Sequence, residues 1–73
     1  TVLRQDARST LTARYVYDTD FHRGYVLELR NTSEEPMRLD LSRFSGEGLD
    51  LVGAKSLVVE AGQATSVYLV FWK

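Results

Sequence analysis

Seventy-three residues with a net charge of −1 and no cysteine describe one small domain that has neither disulfides nor a thiolate metal site. One histidine, His22, gives no basis for a zinc cluster, and no apolar run is long enough to span a membrane as a helix. Arg4, Arg8, Arg14, Arg23, Arg30, Arg38 and Arg43 are interleaved with acids rather than gathered into a basic stretch, so no direct nucleic-acid binding is expected.

Thr1–Thr10 is polar and reads as a linker or as a strand completed elsewhere, ahead of a single domain over 11–73. The chain begins at Thr1 rather than methionine and is expected to be the C-terminal part of a longer protein. Leu11–Asp18 (LTARYVYD) is the first clear strand. Simple alternation puts Leu11, Ala13, Tyr15 and Tyr17 on one face. Thr19–Gly24 (TDFHRG) follows as a turn. Tyr25, Leu27 and Leu29 then alternate with Val26, Glu28 and Arg30. Met37, Leu39 and Leu41 repeat the pattern after the turn-rich Asn31–Pro36 (NTSEEP). The two runs read as an antiparallel hairpin. Charge selects its register: Leu29 opposite Met37 sets Glu28 against Arg38, whereas Leu29 opposite Leu39 sets Arg30 against Arg38.

Phe44–Gly48 (FSGEG) is a loop. Leu49–Val52 and Ser56–Glu60 follow as one long or two short strands, with Gly53 as a bulge or bend. Ala61–Ala64 is a turn, and Thr65–Trp72 (TSVYLVFW) is the final strand. Its faces are Val67, Leu69 and Phe71 on one side and Tyr68, Val70 and Trp72 on the other, both apolar. No stretch keeps helical spacing. The fold class that follows is all-β, a small antiparallel Ig-like β-sandwich of five to six short strands. Leu27, Leu29, Leu39, Val67 and Leu69 are the expected core.

Chemistry has little to work with. Gly46–Gly48 lacks the lysine and hydroxyl residue of a phosphate-binding loop, and a strand follows it, so it reads as a glycine turn. Asn31–Ser33 fits the N-glycosylation triplet and equally a turn. His22, beside Asp20 and Arg23, has no nucleophile motif to serve and reads as an exposed turn histidine. Glu34 and Glu35 read as a solvated pair. No catalytic residue, metal ligand or cofactor is expected. Tyr68, Val70 and Trp72 are the candidate partner-binding residues. Their bland alternative is core packing in a central strand. A chain this short buries only about 60% of its unfolded surface, so two full layers are hard to fill from it alone. Trp72 is therefore expected to be partly exposed.

The stretch YVLELRNTSEEPMRLDLSRF, a glycine loop and then LVVEAGQATSVYLVF resemble the C-terminal domain of the TraK family of F-type conjugative type IV secretion systems. The likeness runs from about Tyr25 to Val70. It follows an aromatic-led strand with an asparagine turn, a P-x-x-L strand, a phenylalanine before a loop, and a terminal V-Y-hydrophobic-V strand. The chain departs from the family at Ser45–Gly48, where a tryptophan and a Pro-Gly pair are common. The resemblance implies an assembly subunit of the outer-membrane core complex, in the periplasm at the outer membrane. Its partners would be a TraV-like lipoprotein, a TraB-like channel subunit and further copies of itself in a ring. The alternatives are a generic Ig-like binding domain of a larger periplasmic or extracellular protein, and a pilus-chaperone-like domain.

Overall fold

The three longest alternating runs become the three longest strands. The computed structural model describes residues 2–5 and 8–73, with side chains from Arg8 onward. Its strands are β1 (Val2–Gln5), β2 (Ser9–Asp18), β3 (His22–Asn31), β4 (Met37–Arg38), β5 (Leu49–Ala54), β6 (Val58–Val59) and β7 (Ala64–Trp72). A 3-10 turn covers Leu41–Arg43. Five strands form one antiparallel sheet in the order β1-β2-β3-β7-β5, and β4 pairs with β6 in a second, two-stranded layer. The domain is thus a small all-β antiparallel sandwich. Seven strands exceed the expected five to six because Val2–Gln5 forms a strand and the stretch from Leu49 to Glu60 gives two. Of Thr1–Thr10, residues Thr1, Asp6 and Ala7 lie outside the described residues, while Val2–Gln5 pairs with β2 inside this chain.

The expected hairpin is not formed. Both edges of β3 are taken, by β2 on one side and β7 on the other, and Met37–Arg38 pairs with Val58 and Val59 in the other layer. The register argued from charge therefore fails at its premise. Charge ranks registers only between strands that are neighbours, and β3 buries more by lying between two long strands. Glu28 finds its cation on β2 instead, where Arg14 Nη2 lies 2.9 Å from its carboxylate. The connection after β3 crosses between layers. Asn31 makes that crossing possible by donating to the carbonyls of Glu35 and Val59, at 2.7 and 2.9 Å.

Cross-strand partners share a face, which fixes the inside of the sheet. Leu11, Leu29 and Thr65 form one inner row, and Ala13, Leu27, Val67 and Ala54 the next. Leu11, Leu27, Leu29 and Val67 make the buried core, and Val59 of the second layer is buried as well. Leu39 and Leu69 only pack against its margin, so the expected core was right at three positions and too generous at two. The second layer is short and covers one end of the inner face. Toward the other end Tyr25, Leu27, Leu69 and Phe71 line an apolar hollow of about 270 Å³.

Two bulges reset the faces. On β2 the register shifts between Ala13 and Tyr15, so Ala13 opposes Leu27 but Tyr15 opposes Val26. Tyr15 and Tyr17 thereby turn to the outer face, contrary to strict alternation. On β5 the shift falls between Leu49 and Leu51, not at Gly53, and Leu51 comes to oppose Val70 on the outer face. In each case one extra residue, Arg14 or Asp50, inverts the side-chain order beyond it.

Candidate protein-docking face

The outer face of the large sheet is covered by no other element among the described residues. Its rows follow from the ladder. Tyr15, Val26 and Tyr68 lie in line across β2, β3 and β7, with Gly53 of β5 beyond them. In the next row Tyr17, Gly24, Val70 and Leu51 are aligned, and His22 faces Trp72 in the last. Tyr15 is 61% exposed, Trp72 55% and Tyr68 39%, so the expected partial exposure of the indole is met. Val70 is half-buried between them. The three candidate residues do lie together. Tyr15, Tyr17 and Leu51 join them, and alternation alone missed these because both bulges had to be known first.

Local contacts hold the rings in place. Tyr15 and Tyr17 stack with centroids 6.3 Å apart. The His22 ring packs on the Trp72 ring at 4.0 Å, and its Nε2 lies 3.3 Å from Asp50 Oδ2. His22 is thus the first residue of β3 and a partner of the indole, not a free turn residue. With about 200 Å² per aromatic side chain, the four exposed rings Tyr15, Tyr17, Tyr68 and Trp72 present roughly 400 Å² of apolar surface. That lies in the range of the largest patch on a typical monomer, about 300–600 Å², which is often functional.

Polar residues border the patch. Glu28 accepts hydrogen bonds from Arg14 Nε and Nη2, and Arg30 Nη2 lies 3.4 Å from its other oxygen. Arg14 first, then Arg30, hold the Glu28 carboxyl below the usual carboxylate range. An apolar centre bordered by this charged cluster is the layout of a protein interface. On the inner face, in the row of Phe71, Asp18 is paired with Arg23 at 2.7 Å and with Lys73 at 3.3 Å, and the Arg23 hydrogen bond leads in lowering its pKa. Gly48, with φ +82°, is a turn leading into β5 whose carbonyl accepts from Trp72 N–H at 2.9 Å, and Glu34 and Glu35 are exposed in their turn. Among the described residues no group of three His, Cys, Asp or Glu side chains is placed to hold a metal ion. No protein-family model and no curated protein matches this chain.

Proposed function

We propose that this domain is a non-catalytic assembly module that docks a protein partner on the outer face of its large sheet. The observation that carries this reading is the alignment of Tyr15, Tyr17, Leu51, Tyr68 and Trp72 in one exposed patch with nothing from the described chain over it. Leaving four aromatic rings in water forgoes several kcal/mol of burial, at about 1.5–3 kcal/mol for a large apolar side chain. A partner recovers that free energy.

The finer reading rests on the sequence resemblance to TraK C-terminal domains. In it the module is a structural subunit of a conjugative type IV secretion outer-membrane core complex. It sits in the periplasm at the outer membrane and contacts a TraV-like lipoprotein, a TraB-like subunit and neighbouring copies. The sandwich would then be a rigid scaffold within the channel wall.

Trp72→Ala and Tyr68→Ala test the docking face. Truncating an aromatic anchor at an interface costs 2 kcal/mol or more. Both variants should keep the melting temperature of the isolated domain within a few degrees while losing most co-purification with partners from membranes. Variants that assemble like the parent overturn the docking face. Identification of the co-purified proteins tests the finer reading separately, since partners unrelated to secretion would remove it and leave the face intact.

A further inference from the structure

Arginines that the sequence scatters converge at one place in the fold. Arg8 precedes β2, Arg38 lies in β4 and Arg43 ends the 3-10 turn, yet all three line one pocket of about 230 Å³ between the layers. Leu29, Leu39 and Phe44 supply its apolar wall, which is continuous with the core. One carboxylate, Asp40, also borders it. That carboxylate is already engaged, because its Oδ1 accepts from both the backbone N–H and the hydroxyl of Ser42. Among the described residues neither Arg38 nor Arg43 makes an ion pair within 4.0 Å. The pocket therefore sets two guanidinium groups that lack a close carboxylate partner, Arg38 and Arg43, beside an apolar wall.

We propose that this pocket binds the C-terminal residue of a peptide with an aliphatic side chain. A guanidinium matches a carboxylate through two parallel N–H···O bonds, so Arg38 or Arg43 would take the terminal carboxylate. The aliphatic side chain would lie on Leu29, Leu39 and Phe44. Size selects the ligand further. A volume of about 230 Å³ is below the 300–1,000 Å³ of sites for drug-sized molecules, and suits a single residue better than a long acyl chain. The site is at the covered end of the sandwich, remote in the ladder from the Tyr68–Trp72 patch, so the two proposals stand or fall separately.

The test is an amide-resolved NMR titration of the chain with four probes: N-acetyl-leucine, N-acetyl-leucinamide, octanoate and inorganic phosphate. N-acetyl-leucine should bind at about millimolar strength, as expected of so small a ligand, and shift amides of residues 37–44 and Leu29. The amide, which lacks only the charge, should bind at least tenfold more weakly. Arg38→Gln and Arg43→Gln, both at exposed positions, should together weaken binding of the acid at least tenfold while the rest of the spectrum stays that of the folded chain. Phosphate binding as tightly as N-acetyl-leucine would reduce the pocket to an unspecific cationic patch and overturn the proposal. Tighter binding of octanoate would overturn it in favour of a fatty acid. Equal binding of acid and amide, or no shift with the acid, would also overturn it.

Discussion

Asn31 is fully buried and uses its whole hydrogen-bonding capacity. Its Nδ2 serves the Glu35 and Val59 carbonyls, and its Oδ1 accepts from Ser33 N–H and Ser33 Oγ. The amide nitrogen that a glycan would need is thus occupied inside the fold. Asn31→Ala removes all four of these hydrogen bonds from the interior, each contributing about 0.5–1.5 kcal/mol net. A loss of roughly 2–4 kcal/mol is expected by urea denaturation, and a loss below 1 would contradict this role. Glu28 carries a pH dependence. Its pKa is lowered in the folded state by Arg14 and then Arg30. Its contribution is therefore complete above the unfolded value of about 4.3 and disappears as pH falls through the folded one. Arg14 is half exposed, so that contribution stays within the 0–1 kcal/mol of surface pairs. Glu28→Gln should flatten the fall in stability between about pH 5 and 3. An unchanged acid limb would remove Glu28 as its source.

Elements show how one residue re-aims many. Arg14 is the extra residue that sends Tyr15 and Tyr17 outward. Deleting it removes the bulge but leaves Ala13 opposite Leu27 and Tyr15 opposite Val26, so both rings should stay on the outer face of a now regular ladder. The deletion should therefore unfold within about 1 kcal/mol of Arg14→Ala in urea, since both variants lose the same side chain. A much larger loss would mean that β2 does not close into that regular ladder. Strand β7 makes a second comparison possible through its partner β3. Leu27 is 2% exposed and central, and Leu27→Ala should cost about 2–5 kcal/mol. Leu69 lines the open hollow and is only partly buried, so its truncation leaves less cavity and should cost clearly less.

At the scale of the whole molecule, a second layer of two dipeptide strands is too short for the sheet it covers. The molecule is elongated, 42 × 22 × 18 Å, and most of its exposed large apolar side chains lie toward the uncovered end, Leu57 and Val58 of the second layer excepted. There the outer face shows Tyr15, Tyr17, Leu51 and Trp72, while Val16 is exposed on the inner face beside the hollow. An apolar dye such as ANS should therefore bind the native domain, a property usually associated with loosened states. Tyr17→Lys together with Leu51→Lys should abolish most of that binding without lowering the melting temperature. Retained dye binding in the folded double variant would place the sticky surface elsewhere.

Period-two alternation is local, and it was enough to settle local questions. It sorted β3 and β7 into their two faces, named Leu27, Leu29 and Val67 as core, and put Tyr68, Val70 and Trp72 side by side on the opposite surface. Turn residues did the same for the breaks, including Gly62, whose φ of +74° serves the turn before β7. Strand neighbours are a different matter, because pairing depends on what each segment buries against segments far along the chain. That is why the Gly24–Leu41 hairpin dissolved into two layers. The bulges at Arg14 and Asp50 depend on the same long-range ladders, so Tyr15, Tyr17 and Leu51 joined the docking face only in three dimensions. Only the fold could gather Arg8, Arg38 and Arg43 around one pocket, since nothing local links a residue before β2 to one in β4 and another in a 3-10 turn.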